Sequence, residues 1–233
     1  MKHTLFLFDL DDTLLDFKAS EQLSFVRTLE ALGMREGIDS LFPQYQAINI
    51  ALWREFELGA VSKDFLKVER FRRTFAQNGL ELDAAAASHL YLESLSETVV
   101  LIDGAKQVCE ALSAIGEVGI ITNGVEHIQT RRIASSGLKD HISFVSTSEA
   151  CGHAKPDSRF FDYATKMARA FAHHETVIVG DRLDADILGA NRFGIDSCWF
   201  NPGRMPNASE ALPTCEVATL HEIVPALKAL AVG

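Results

Sequence analysis

The sequence predicts an α/β fold: a doubly wound parallel sheet with a helical cap inserted after the first strand. Three observations lead there. Short apolar runs without alternation recur along the chain, as strands covered on both faces require. Helix-period stretches separate most of them, the rhythm of a doubly wound sheet. One segment, residues 17 to 97, carries helical pattern and no strand.

The elements follow in order. Thr4 to Phe8 (TLFLF) is the first strand, and it runs directly into Asp9, Asp11 and Asp12. Four helical stretches come next: Ser20 to Leu32, Gln44 to Leu58, Ser62 to Gln77 and Asp83 to Leu95. The first three stop at Gly33, Gly59 and the pair Asn78–Gly79, residues suited to a helix C-terminus. Four helices are too many for one βαβ crossover, so residues 17–97 read as the cap, and residues 1–16 with 98–233 as the core. Asp103 to Ile115 is a core helix ending at Gly116. Val118 to Thr122 (VGIIT) is the second strand, Ile142 to Ser146 a weaker third, Thr176 to Gly180 (TVIVG) the fourth and Ser197 to Phe200 the fifth. Helices are expected over Arg159 to Ala172 and Asp186 to Phe193, the latter stopped by Gly194. Asn201 to Pro213, with three prolines, reads as an ordered surface loop.

Composition narrows the function classes. A length of 233 residues suits one large domain or a core with one insert, and 47% hydrophobic residues are enough for a sizeable core. A formal net charge of −10 argues against nucleic acid or an anionic membrane as partner. No apolar run approaches the ~20 residues of a membrane span. Asp9 interrupts the N-terminal apolar stretch and no small-residue cleavage site follows, so a signal peptide is not expected and a cytoplasmic location is. Cys109, Cys151, Cys198 and Cys215 are scattered without CxxC or zinc spacing and read as reduced thiols.

In open α/β sheets ligands bind outside the carboxyl ends of the strands. The first strand ends in Asp9, Asp11, Asp12 and Thr13, and the second in Thr122, Asn123 and Gly124. Lys155–Pro156 follows the third, and the fourth ends in Gly180–Asp181, with Asp184 and Asp186 just beyond. Parallel pairing would gather these groups at one edge. Carboxylates converging in a cleft repel one another unless a cation joins them, and all-oxygen ligands without His or Cys suit Mg²⁺. Lys155 adds a positive charge suited to phosphate. Thr122, Asn123 and Gly124 add a hydroxyl and backbone N–H groups beside a helix start. The inventory describes phosphoryl transfer. Asp9 can serve as nucleophile, forming an aspartyl-phosphate. Asp11 can protonate the leaving oxygen and then take the proton of the hydrolysing water.

Together these stretches resemble the haloacid dehalogenase (HAD) superfamily of aspartate-nucleophile phosphatases. Its DxDxT motif matches Asp9, Asp11 and Thr13; its strand-end Thr or Ser matches Thr122; its Lys, often before Pro, matches Lys155; its GDxxxxD matches Gly180, Asp181 and Asp186. The resemblance implies a Rossmann-like HAD core with a C1-type cap. It implies Mg²⁺ held by Asp9, the Asp11 carbonyl, Asp181 and Asp186, the last directly or through water. Asp9 and Asp11 become the catalytic pair; Thr122, Asn123 and Lys155 become the phosphate-binding residues; Asp184 receives no role. Four further stretches, among them QYQAINIALWREFELGAVS within the cap and GDRLDADILGANRFGIDSCWFNPG, are similar to a branch of noncanonical pyrimidine nucleoside 5′-monophosphate phosphatases. Asp103 stands where that family commonly carries Pro before Gly104.

The expected function is therefore hydrolysis of a small phosphorylated metabolite, a pyrimidine nucleotide first, by a monomer or weak homodimer. A sugar-phosphate phosphatase or phosphomutase remains open, since the same core serves both. So does a catalytically silent phosphate-binding or receiver-like module, although receivers lack the large cap. A dehalogenase fits poorly, because that chemistry needs neither the metal nor Asp11. Among the other polar and aromatic residues, Arg70, Arg72 and Arg73 read as a solvated cap face. Trp53 and Phe56 read as cap core, His127 as a helix-surface residue, and His173 and His174 as loop residues.

Overall fold

The computed structural model describes residues 2–230. They form two compact units, Met1–Phe17 with Val99–Gly233, and Lys18–Thr98.

The first unit is built on a six-stranded parallel sheet. Its strands are β1 (Leu5–Phe8), β2 (Glu117–Thr122), β3 (Phe144–Thr147), β4 (Thr176–Gly180), β5 (Asp196–Phe200) and β6 (Cys215–Val217). The order across the sheet is β3-β2-β1-β4-β5-β6, so β1 lies between β2 and β4. Every residue of β1 is buried, and the burial is two-sided. Phe6 and Phe8 enter one apolar cluster with Val108 and Leu112 and with Ile223 and Leu227. Leu5 and Leu7 enter another with Phe160, Phe161 and Ala190. Successive strand residues point to opposite faces, so a strand covered twice must be apolar throughout.

Helices supply the two layers. One face is packed by α5 (Ala105–Ser113) and by α10 (Ile223–Ala229); α8 (Ser158–Thr165) and α9 (Leu188–Phe193) pack the other. α6 (Glu126–Ser135) follows β2, and the single turn α7 (Ser148–Cys151) follows β3. Register aligns the strand ends: Phe8 pairs with Ile120 on one side and Val179 on the other. The residues after β1, β2 and β4 therefore emerge side by side.

Three differences from the sequence-based expectation stand out in this unit. β6 is three residues long with its middle residue exposed, too short for a periodic signal. α8 ends at Thr165 rather than Ala172. There the Thr165 hydroxyl turns back to the Phe161 carbonyl at 2.9 Å, Arg169 N–H donates to Glu117 Oε2 at 2.9 Å, and Phe171 packs on His173 and Phe193. Those long-range partners end a helix that local pattern would continue. Ahead of α9, residues Leu183–Ile187 form one wide π turn.

The second unit holds four helices: α1 (Phe17–Ala31, which starts on the last residue of the first unit's N-terminal segment), α2 (Ile38–Glu57), α3 (Lys63–Gln77) and α4 (Ala84–Glu97). Ser62 and Asp83 cap α3 and α4, the latter accepting from the Ala85 and Ala86 N–H groups at 2.8 and 3.2 Å. The core is aromatic, with Phe25, Tyr45, Phe71 and Tyr91 in mutual ring contact. It also encloses a polar thread: Arg70 donates to Asn49 and Asn49 to Glu21. Arg70 is buried and lies 4.4 Å over the Tyr91 ring, which corrects its reading as a solvated residue. Its neighbours Glu69, Arg72 and Arg73 do form surface ion pairs. Among the described residues no helix is long and apolar enough to cross a membrane.

Candidate active site

The site forms where β1, β2 and β4 end. Asp9 is the first residue beyond β1, buried, with its N–H on the Val179 carbonyl at 2.9 Å. Lys155 reaches it from the loop after α7. The Lys155 ammonium, itself buried, donates to Asp9 Oδ1 at 2.6 Å, Asp186 Oδ1 at 2.7 Å and the Ile121 carbonyl at 2.9 Å. Asp181 completes a group of three carboxylates: Asp9, Asp181 and Asp186 each offer an oxygen within 4.8 Å of the others.

The surrounding backbone explains why these side chains meet. Asp186 lies in the π turn after β4, and its second oxygen accepts the Arg182 N–H at 3.1 Å. Gly180 has no side chain because Asp186 lies against it: a Cβ there would sit 2.3 Å from Asp186 Oδ2. Thr13 accepts the Asp181 N–H at 3.1 Å and donates to Asp181 Oδ1 at 3.2 Å, fixing that carboxylate. Trp199 of β5 donates its indole N–H to the Asp181 carbonyl at 2.9 Å. Asp184, in the same turn, is exposed and paired with Arg182, outside the carboxylate group.

Three adjacent acids, two of them buried, beside one ammonium leave negative charge uncompensated. Burial pushes the Asp9 carboxyl up to about 7, with Asp186 and Asp11 adding to the rise against the pull of Lys155. Burial likewise holds Asp181 well above the usual carboxylate range, reinforced by Asp9 and Asp186. For Lys155 burial works against the charge, but Asp186 and Asp9 outweigh it and keep the ammonium protonated. A hard divalent cation would relieve this imbalance, and an all-carboxylate donor set is the chemistry that suits Mg²⁺. The residues present fit that ion.

The remaining expected residues take distinct places. Thr122 Oγ1 accepts from the Gly124 N–H at 3.0 Å and from Gln129 Nε2 at 3.1 Å. The Asn123 side chain clamps the Lys155 backbone: its Oδ1 accepts the Lys155 N–H at 2.8 Å and its Nδ2 donates to the Lys155 carbonyl at 3.0 Å. That amide therefore acts on the lysine. The Asp11 carboxylate is not among the three converging acids. Its Oδ2 accepts from Gln129 Nε2 at 2.6 Å and its Oδ1 from Arg132 Nη1 at 2.5 Å. Gln129 and Arg132 escaped the sequence reading. Their signal was available, since both stand on the buried face of α6 with Ile128 and Ile133, where polar residues need a reason.

Comparison with known proteins places this geometry in a wider set. Residues 3–194 match the model of the haloacid dehalogenase-like hydrolases. The chain is 37% identical over 222 residues to the HAD-hydrolase YfnB of Bacillus subtilis, covering 95% of this chain and 94% of that one. The magnesium-bound crystal structure of YfnB superposes with a TM-score of 0.90 at 36% identity, over 97% of this chain and 99% of that one. The pyrimidine 5′-nucleotidase PynA of Streptococcus pneumoniae is 35% identical over 97% of this chain and 96% of its own length. The pyrimidine 5′-nucleotidase YjjG of Escherichia coli is 30% identical over 96% of this chain and 97% of its own length.

Proposed function

This chain belongs to the haloacid dehalogenase-like hydrolases, and within that family we propose that it is a Mg²⁺-dependent phosphatase of pyrimidine nucleoside 5′-monophosphates acting through an aspartyl-phosphate on Asp9. One observation carries the chemistry: a buried Lys155 binding Asp9 and Asp186 at once, with Asp181 beside them. The substrate class rests on similarity to two pyrimidine 5′-nucleotidases that extends over nearly the whole chain, the helical unit included.

The reaction divides into two displacements. An Asp9 oxygen forms a bond to phosphorus as the bond from phosphorus to the nucleoside oxygen breaks. Asp11 gives that departing oxygen its proton. Water then loses a proton to Asp11 and attacks phosphorus, the bond to Asp9 breaks, and inorganic phosphate leaves with both carboxyl groups restored. Lys155 orients Asp9 and neutralises phosphoryl charge, while the Thr122 hydroxyl proton and backbone N–H groups after β2 receive phosphate oxygens. Mg²⁺ held by Asp9, Asp181, Asp186 and the Asp11 carbonyl would supply charge neutralisation at the transferring group. Asn123 contributes by holding Lys155 in place. The chain divides its labour, with residues 1–16 and 98–233 carrying catalysis and residues 17–97 carrying substrate choice, in the cytoplasm.

The deciding experiment is phosphate release with Mg²⁺ from UMP, dUMP, dTMP, CMP, AMP and several sugar phosphates, with Asp9→Asn alongside. Pyrimidine-selective release that falls at least ~1,000-fold in Asp9→Asn supports the proposal. Release confined to sugar phosphates would retain the nucleophile and discard the nucleotide. Equal activity in Asp9→Asn would discard the mechanism.

A further inference from the structure

α6 carries two buried polar residues to which the proposed reaction gives no part. Arg132 is fully buried, and Gln129 almost so. They stand three residues apart, hence on one face of the helix. Arg132 Nη1 donates to Asp11 Oδ1 at 2.5 Å and to Gln129 Oε1 at 3.0 Å. With its carbonyl oxygen turned to Arg132, Gln129 presents its NH₂ to Asp11 Oδ2 at 2.6 Å and to Thr122 Oγ1 at 3.1 Å. A single amide thus joins the residue assigned to proton transfer and the residue assigned to phosphate.

The chain makes room for this link. A Cβ on Gly124 would lie 2.2 Å from Gln129 Nε2, so glycine at that position lets the amide cross between β2 and Asp11. Thr122 Oγ1 already accepts from Gln129 and from the Gly124 N–H, which leaves its own proton to be given elsewhere. Arg132 is held on its other side by the Phe17 ring, 5.8 Å from the guanidinium. Its Nε and Nη2 are buried without a hydrogen-bond partner. Burying a guanidinium with two donors unmatched is unfavourable, and an apolar side chain of similar volume would ordinarily serve a core better. The arrangement is stabilising for the Asp11 orientation rather than for the fold.

We propose that Arg132 and Gln129 are positioning residues that fix the Asp11 carboxylate for proton transfer and tie its orientation to Thr122. Their effect on catalysis passes through Asp11. The proposal rests on the phosphatase reading, in which Asp11 handles both protons, and on the four hydrogen bonds that give each Asp11 oxygen a donor and each Gln129 amide atom a partner.

A double-mutant cycle tests it. Arg132→Met and Gln129→Leu are each made in the native background and in Asp11→Asn, and hydrolysis of para-nitrophenyl phosphate, whose leaving group needs little protonation so that Asp11 acts on it chiefly by taking the proton of the attacking water, is followed with Mg²⁺. In the native background each substitution should lower kcat by ~10- to 100-fold, the range seen when outer partners of catalytic groups are removed, with KM changed less than ~3-fold. In Asp11→Asn the same substitutions should lower kcat by less than ~2-fold, because the residue they act through is already disabled. Arg132→Lys, keeping the charge, should recover part of the rate, and a thermal melt should show Arg132→Met fully folded at the assay temperature. Equal losses in both backgrounds, or a loss that tracks falling melting temperature, would overturn the proposal and leave the phosphatase reading intact. Full activity in Asp11→Asn on nucleotide and aryl substrates alike would overturn the role of Asp11 and this proposal with it. Should Asp11→Asn be too slow to cycle, a fall in kcat at unchanged KM and melting temperature supports the proposal, and an unchanged kcat sinks it.

Discussion

Gly180 and Asp186 set the tolerance of the site at the scale of single residues. The 2.3 Å approach that a Cβ would make to Asp186 Oδ2 is shorter than van der Waals contact allows, and Lys155 holds the other Asp186 oxygen at 2.7 Å. Gly180→Ala must therefore displace the carboxylate or the strand end. It should lower stability by about 1–3 kcal/mol, as small-to-large changes in packed interiors do. It should also lower phosphate release by ~100-fold, because a shift of ~1 Å in a reacting constellation is enough. A thermal melt and a steady-state assay check both arms, and an active, native-like Gly180→Ala would contradict the reading. The Asp triplet of the first strand and the GDxxxxD stretch were legible because acids crowded directly after apolar strands cost stability and so point to a ligand. Asp184 and Asp186 were told apart by the spacing of that motif alone, since their local chemistry is the same. Both sit in one turn, and the wide π geometry turns one outward to Arg182 and the other inward to Lys155.

α8 shows the same contrast at the scale of an element. Its start is written locally: Asp157 accepts the Arg159 N–H at 2.9 Å as N-cap, directly after Lys155–Pro156. The Arg159 side chain, paired with Asp157, brings its carboxyl down to about 2, with burial opposing and the cap hydrogen bond assisting. A depressed folded-state pKa contributes stability above the unfolded value near 4, and that contribution disappears as pH falls from about 4 to about 2. Asp157→Ala should accordingly lower stability by about 1 kcal/mol at neutral pH, an ordinary cap loss. The difference from the native enzyme should narrow below pH ~4 and close near pH ~2. Denaturant midpoints across that range test the sign, and a gap constant with pH would contradict it. Most strands and the starts of α3 and α4 were readable from local pattern, whereas α2 begins at Ile38 rather than at Gln44 and carries Pro43 inside it. The end of α8 was not readable, because Glu117 on β2 and Phe193 on α9 stop it, and both are distant in sequence.

For the whole molecule the proposed cation is the test of how charge is balanced. A ligand that binds only the folded chain stabilises it by RT ln(1 + [L]/Kd), about 2.7 kcal/mol at a hundredfold excess over Kd. Mg²⁺ should raise the melting temperature of the native enzyme, and removal by a chelator should abolish phosphate release and lower the melting temperature together. Asp181→Asn should lose most of the Mg²⁺-dependent rise while melting no lower than the native enzyme in chelator, because one of three mutually repelling acids has been removed. A Mg²⁺ response of equal size in native enzyme and Asp181→Asn would exclude Asp181 as a ligand. Composition could point only to the class of ion, since hard oxygen donors without His or Cys favour Mg²⁺. The need for one arises from three acids held within 4.8 Å of one another in a buried place.

By itself the sequence determined the strands and the polar residues at their carboxyl ends. A strand covered on both faces must be continuously apolar, so β1, β2 and β4 stand out, and their polar successors mark the edge where Asp9, Asp181 and Asp186 meet. It also determined the helical insert, whose four helices announce themselves by period, caps and terminal glycines. Tertiary structure alone decided how the carboxylates are shared out. Asp9, Asp181 and Asp186 converge on one another with Lys155 bound to the first and last, whereas Asp11, two residues from Asp9, is bound by Gln129 and Arg132 of α6. The physical reason is reach. Apolar period and strand ends are local properties of the chain, but a side chain's charged partner comes from whatever the register of the sheet brings alongside, and for Asp11 that partner is 121 residues away.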